Sequence, residues 1–139
     1  SRLFVRVLER RISRHGITIG MWFFLRALWE EDDITQAELS ERVGVGGPTT
    51  VAAVERLEKQ GLIRRRKSTT DRRLSFVNLT LAGRAIEKEL GGFAREVADL
   101  GLAPLSAEEA ASLHDMLVRV HAALLAEERG GMATSRADG

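Results

Sequence analysis

The sequence predicts a mainly α-helical chain of the α+β class, in which two short helices joined by a glycine turn lead into a basic β-hairpin between longer amphipathic helices. Three observations carry that prediction. Apolar residues recur at steps of three and four towards both ends of the chain. Two short helical stretches, each with a start signal, flank Gly44, Gly46 and Gly47. Two strand-length runs then enclose the polar turn Ser68 to Arg73.

At the start, Leu3 and Val7 with Phe4, Leu8 and Ile12 form an apolar stripe among Arg2, Arg6, Glu9 and Arg10, an amphipathic helix that needs a partner. After a break at Gly16, the run Met21 to Trp29 is apolar nearly all round, which predicts a helix enclosed on most sides at the centre of the fold. Thr35 and Glu38 have the spacing of a capping box and open a short helix with Leu39 and Val43 on one face and Gly44 at its end. Pro48 suits the first turn of the next helix, where its missing N–H costs nothing. Thr50, Val54 and Leu57 face inward there, and Gly61 closes it.

Leu62 to Lys67 and Leu74 to Leu79 are the two expected strands, and Thr80 caps a long helix carrying Ile86, Leu90, Phe93, Val97 and Leu100 at heptad spacing. Gly91 and Gly92 in its middle each cost about 1 kcal/mol relative to alanine, so close packing or a bend is expected there. Behind Pro104, a second capping box from Ser106 to Glu109 starts a helix with Leu113, Met116, Leu117, Val120 and Leu124 on one face. One domain over 1–139 is expected: outer helices at 1–30 and 101–129, the helix-turn-helix with its hairpin at 32–84, a long connecting helix at 80–100, and a frayed, flexible tail at 130–139.

An apolar share of 44% and a charged share of 29%, without a long uncharged run, predict a soluble cytoplasmic protein with no membrane span. No signal peptide is legible, since Leu3 to Leu8 is broken by Arg6 and followed by Arg10 and Arg11. The opening at Ser1 is compatible with natural residues upstream of it. The absence of cysteine excludes disulfides, thiolate nucleophiles, thiol redox switches and cysteine-ligated zinc. His15, His114 and His121 are scattered, the last two roughly 10 Å apart along one helix, too far for one metal ion to bridge directly. No H-E-x-x-H, phosphate-binding glycine loop or nucleophile motif occurs, and Asp115 with Arg119 reads as a surface pair. The chain is therefore expected to be no enzyme, with no catalytic residue, cofactor or metal.

The net charge of +1 conceals a local bias. Residues 61–84 hold Arg64, Arg65, Arg66, Lys67, Arg72, Arg73 and Arg84 against Asp71 alone, a local +6 that leaves −5 for the rest. Cations packed so densely repel one another unless an anion neutralises them, and a phosphate backbone does so with release of counterions. The plain alternative is a solvated basic hairpin. Its position directly after a helix-turn-helix favours the nucleic-acid reading, because helix and basic hairpin can enter adjacent grooves.

Gln36 to Val45, Val54 to Ile63, Asp71-Arg72-Arg73 and Leu79-Thr80-Leu81-Ala82-Gly83 together resemble the winged helix-turn-helix of the MarR family of bacterial transcription regulators. The last two segments are the more specific, and with the flanking helices the resemblance covers residues 1 to 129. It implies a winged helix-turn-helix with N- and C-terminal dimerisation helices, an obligate homodimer, and a pseudopalindromic double-stranded DNA operator. The unpartnered stripes Leu3 to Ile12 and Leu113 to Leu124 ask independently for a partner, unless an intramolecular bundle buries them. Two-fold symmetry would set the recognition helices roughly 34 Å apart.

With Thr50, Val54 and Leu57 inward, the outer and lateral faces of the second helix carry Pro48, Thr49, Val51, Ala52, Glu55, Arg56 and Lys59. Many relatives have an arginine or polar residue where this chain has Val51 and Ala52, so apolar contact with thymine methyls is expected, with Thr49 on a base edge or phosphate. Gly46 and Gly47 let the backbone approach phosphates, or simply make a tight turn. By resemblance Arg73, with Arg72 as second candidate, enters the minor groove while Asp71 orients the tip. Thr35, Gln36, Arg64 and Arg66 complete the expected DNA-binding set.

The rival function is a winged-helix protein-interaction module without specific DNA binding. Within the regulator reading, repression is the commoner outcome in the family. The missing cysteines exclude the peroxide sensing of some relatives, and the scattered histidines argue against a metal sensor. The resemblance implies a small organic effector, often a phenolic or aromatic carboxylate compound, bound between the dimer helices and the winged helix. Arg11, His15, Ile17, Met21, Trp22 and Arg26 are the candidate lining; alternatively Met21 and Trp22 are core and His15 a polar helix end.

Overall fold

A computed structural model describes residues 2–137, with side chains described for 2–131. The elements run α1 (Arg2–Ile12), a 3-10 turn (Ser13–His15), α2 (Ile19–Glu30), β1 (Ile34–Thr35), α3 (Gln36–Val43), α4 (Gly47–Lys59), β2 (Ile63–Lys67), β3 (Ser75–Leu79), α5 (Leu81–Leu102) and α6 (Ala107–Ala137). The backbone forms two compact units, one ending at Ala98 and the next beginning at Asp99, where a single domain is expected. The boundary falls inside α5, which carries Leu90 and Val97 into the core of the first unit while Leu100 is 59% exposed.

α2 is the central helix, as its apolar composition predicts. Met21, Trp22, Phe24, Leu25 and Leu28 are buried, and the helix packs on α1, α3, α4 and β3. Each such side chain contributes about 1.5–3 kcal/mol by leaving water. Thr18 starts the helix by accepting a hydrogen bond from the Met21 N–H at 3.2 Å. Phe23, on the remaining face, is 43% exposed.

The helix-turn-helix forms through the expected local chemistry. The Thr35 hydroxyl accepts from the Glu38 N–H at 3.2 Å while the Glu38 carboxylate accepts from the Thr35 N–H at 2.7 Å. Gly44 ends α3 at φ +74°, which an L side chain rarely adopts. Thr50 is 1% exposed and donates to the Ser40 hydroxyl at 2.9 Å, which in turn donates to the Val45 carbonyl at 2.7 Å. This hydroxyl chain ties α4 to the end of α3 and satisfies a polar group inside the core.

The sheet has one strand more than the sequence suggests. β3 lies in the centre, antiparallel to β2 from Ile63↔Leu79 to Lys67↔Ser75, and to β1 through Ile34↔Val77 and Thr35↔Phe76. A two-residue strand has no periodicity of its own; Ile34 becomes one because its side chain is buried and β3 offers it an edge.

α5 begins against the sheet in close approach. A Cβ built on Gly83 would lie 2.1 Å from the Leu62 carbonyl oxygen, and the Gly83 carbonyl accepts from the Trp29 indole N–H at 2.9 Å. Thr80 starts α5, accepting from the Gly83 N–H at 3.1 Å and donating to the Gly61 carbonyl at 2.6 Å. By contrast, a Cβ on Gly91 or Gly92 would meet nothing within 4 Å, so the close packing expected there is absent among the described residues, and the helix runs on unbroken.

In the second unit, both halves of the Ser106–Glu109 capping box are made, at 2.8 and 3.1 Å. The helix it opens runs to Ala137, through most of the segment expected to be a tail. The last two residues of that segment lie outside the described residues. No helix among the described residues is long and apolar enough to cross a membrane.

Gly83→Ala should therefore destabilise the chain by about 3 kcal/mol, because backbone must move to admit one methyl group. Gly91→Ala, with open space around it, should stabilise by about 1 kcal/mol. Urea unfolding of both variants checks the contrast.

Candidate nucleic-acid interface

α4 presents a face directly opposite its buried one. Thr50, Val54 and Leu57 are buried, and Pro48, Thr49, Val51, Ala52, Glu55, Arg56 and Lys59 are exposed. Gly46 caps the helix at φ −70° and Gly47 is its first residue, so neither uses a conformation reserved for glycine. Nothing lies within 4 Å of a Cβ on Gly47, and only the Pro48 ring comes near one on Gly46. The tight turn is made by Gly44; the two later glycines leave open surface at the start of α4.

That surface continues into a groove of about 540 Å³ whose lining joins three elements. Thr35 and Gln36 come from the start of α3, Gly47 and Val51 from the start of α4, and Arg73 from the hairpin turn. Five residues that the sequence places far apart thus share one concave surface, with the N-terminus of α4 opening towards it. Leu74 and Ser75 also line the groove and were not anticipated, having no charge or motif to mark them.

The basic hairpin is less bare than its sequence. Arg65 donates through Nε and Nη2 to Glu58 of α4 at 3.0 and 2.7 Å. Arg66 donates to Asp33 at 3.0 Å and stacks over the Phe76 ring at 4.7 Å. Arg73 pairs with Asp71 at 3.1 Å, and Arg84 with Asp32 at 2.5 Å. Arg64, Lys67 and Arg72 are exposed and form no ion pair among the described residues. Four of the seven cations thus carry a carboxylate partner, three of them from outside the hairpin.

These pairs leave their mark on the acids. The Arg65 guanidinium holds the Glu58 carboxyl below its usual range, and the Asn78 amide followed by Arg66 does the same for Asp33. Asp71 is lowered by hydrogen bonds from the Arg73 side chain and then its backbone N–H. Arg73 remains 88% exposed at its side chain despite the pair. That Asp32 and Asp33 hold Arg84 and Arg66 has no mark in the sequence, because adjacent acids before a helix cap have no distinctive spacing.

The candidate effector residues divide. Ile17, Met21 and Trp22 are at most 4% exposed and belong to the core, which is the alternative reading for the last two. Arg26 lies over the Trp22 ring at 5.6 Å and pairs with Glu30 at 3.5 Å, on the exposed side of α2. Arg11 and His15 do come together, with Arg14, Phe93 and Glu96, around a pocket of about 300 Å³. Arg11 pairs with Glu96 at 2.5 Å and His15 Nδ1 lies 3.1 Å from Glu89, while the His15 and Phe93 rings are 5.6 Å apart. Arg14 was missed although its three-residue step from Arg11 puts the two on neighbouring positions of one helical face. No group of histidines and acids suited to a metal occurs among the described residues.

A buried helix-turn-helix followed by a basic three-stranded wing defines the winged-helix class, and the comparisons identify which branch of it this is. The MarR family model matches residues 17–75. A probable transcriptional regulator of Pseudomonas aeruginosa is 33% identical, with 86% of this chain and 89% of that one covered at a TM-score of 0.75. A MarR transcriptional regulator of Methanosarcina mazei is 26% identical over 89% of each chain, with a TM-score of 0.84. Among curated relatives, the uncharacterized HTH-type transcriptional regulator YdgJ of Bacillus subtilis is 32% identical over 76% of this chain, and the match spans 64% of its own length. The chain belongs to the MarR family, whose members are DNA-binding transcriptional regulators.

Because pairing lowers the Asp71 pKa, its contact with Arg73 is complete above the ordinary value of 3.8 and is lost only as pH falls through the lowered one. In an NMR titration the Arg73 side-chain N–H signals should still report the pair at pH 3.8 and change below it. A change centred above that value would contradict the geometry.

Proposed function

We propose that this chain is a sequence-specific DNA-binding transcriptional repressor that acts as a homodimer on a pseudopalindromic operator. The observation that carries the reading is the shared groove in which the wing-tip Arg73 meets the first residues of α3 and α4. Thr35, Gln36, Gly46 and Gly47 would meet the phosphate backbone at helix N-termini, and Pro48, Thr49, Val51 and Ala52 would enter the major groove. Arg56, Lys59 and Arg64 would add phosphate contacts from exposed positions. Arg66, already paired with Asp33, would act chiefly on the shape of the wing, whereas Arg72 and Arg73 would reach the minor groove with Asp71 orienting the tip. The exposed Met116, Leu117, Val120 and Leu124 on α6 and Leu3 on α1 support the second copy.

Removal of Arg73 to alanine should weaken binding to related operators about equally and lower the slope of log affinity against log salt by about 1.8, one contact of about 0.9 from each protomer. Loss of discrimination at one base pair with an unchanged slope would contradict the minor-groove role. A flat salt dependence for the unaltered protein would favour the protein-interaction module instead.

The finer part of the proposal is the effector, a small aromatic carboxylate that releases the repressor. The 300 Å³ pocket beside α1 supports it through an aromatic wall, Phe93, and a cation, Arg14, that has no ion pair among the described residues. Arg11 is already held by Glu96, so Arg14 is the residue left to meet a carboxylate. The Escherichia coli homoprotocatechuate degradative operon repressor, 29% identical over 75 residues, is a relative whose name joins repression to such a compound. Bound ligand would fix the DNA-binding lobes at a spacing unsuited to the site, a coupling of about 1–3 kcal/mol. Benzoate should lower operator affinity by roughly 5- to 150-fold, and Arg14→Ala should abolish that effect while leaving affinity without benzoate unchanged. Equal release of both proteins, or of neither, would overturn the pocket.

A further inference from the structure

The outward face of α4 contains an acid where a phosphate-binding surface should have none. Pro48, Ala52, Glu55 and Lys59 follow one another at steps of four, three and four and lie opposite the buried Thr50, Val54 and Leu57. Glu55 is exposed and forms no hydrogen bond or ion pair among the described residues. Arg65, on which its charge acts through space, is already held by Glu58, and Lys59 one turn on does not pair with it. A free carboxylate in the middle of the face that approaches a polyanion opposes binding unless it finds a donor there.

A helix lying in the major groove presents base-facing residues at relative positions zero, three, four and seven. On α4 that set is Pro48, Val51, Ala52 and Glu55, with Glu55 roughly 6 Å beyond Val51 along the axis. A carboxylate only accepts hydrogen bonds. Guanine offers it two acceptors, thymine an acceptor and a methyl group, and adenine a donor beside the N7 acceptor. Cytosine alone offers its N4 donor without an adjacent acceptor.

We infer that Glu55 is a specificity-determining residue that reads one cytosine in each operator half-site, about one or two base pairs from the thymine methyls met by Val51 and Ala52. The inference rests on the DNA-binding reading above and assigns to it the one polar base contact this helix can make beyond its first turn. The carboxylate accepts from cytosine N4, finds no donor on guanine or thymine, and meets adenine N6 only beside the repelling N7 acceptor, so it yields sequence discrimination at some loss of affinity for DNA in general.

Binding selection from a randomised duplex pool tests this with the full chain, Glu55→Ala and Glu55→Gln, all three checked by thermal melting since an exposed position should not affect folding. The unaltered protein should favour cytosine about tenfold at one symmetric position in each half-site. Glu55→Ala should lose that preference alone, and Glu55→Gln should move it to adenine, whose N6 and N7 suit an amide. If Glu55→Ala instead tightens binding to all duplexes by one factor and selects an unchanged sequence, the carboxylate faces water and the inference fails. If the unaltered protein enriches no sequence, the DNA-binding reading itself fails, a result distinct from the first.

Discussion

The placement of the wing depends on carboxylates elsewhere in the chain that pair with its arginines. Four consecutive cations, Arg64 to Lys67, occupy β2, and like charges along a strand and across its turn would splay the hairpin. Asp32 and Asp33, in the corner after α2, hold it in place. The Asp32 carboxylate accepts from the Leu79 N–H at 2.8 Å and from Arg84, while Asp33 accepts from Asn78 at 2.7 Å and from Arg66. Asp33 adopts φ +56° to do so, an uncommon conformation for which aspartate is among the less costly side chains. Exposed pairs of this kind contribute little singly, and their importance here is positional. They join the end of α2 to β2, β3 and α5, so that the wing leaves the core at a set angle.

The groove shared by α3, α4 and the hairpin turn inherits its geometry from that arrangement. α2 packs on both helices of the helix-turn-helix and on β3, so a single buried helix references the wing and α4 to each other. Glu58 adds a direct strut from α4 to β2, and the Ser40–Thr50 hydroxyl chain fixes α4 against α3. Charge compensation also changes what the hairpin can offer a duplex. Residues 61–84 carry +6, but Arg65, Arg66 and, at the start of α5, Arg84 are paired with acids of other elements, which leaves Arg64, Lys67, Arg72 and the projecting Arg73 as the groups most available to an anion. The acidic surplus of −5 outside the hairpin is therefore partly structural mortar.

Much of the fold was legible because it is encoded by local chemistry. Capping boxes at Thr35 and Ser106, a left-handed glycine at 44, and the inward triad of Thr50, Val54 and Leu57 all act within a few residues of their own positions. The wing-tip pair of Asp71 with Arg73 is of the same kind, two residues apart. Other features depend on residues distant in the chain and carry no local mark. The strand at Ile34 exists because β3 offers it an edge, and Gly83 is required by a carbonyl at Leu62 rather than by the conformation of its own helix. Met21 and Trp22 suit a ligand wall or a core equally in sequence, and only burial distinguished them.

The sequence by itself determined the class of protein: the order of the helices and of the two hairpin strands, the capped turn, the basic hairpin, the family, and the absence of thiol chemistry, since each follows from residue type and spacing along the chain. Tertiary structure alone decided which charges are available. Whether an arginine is free for a phosphate depends on a carboxylate that can be seven residues away, as Glu58 is from Arg65, or fifty-two, as Asp32 is from Arg84. Coulombic pairing acts through space over a few ångströms and is indifferent to position along the chain.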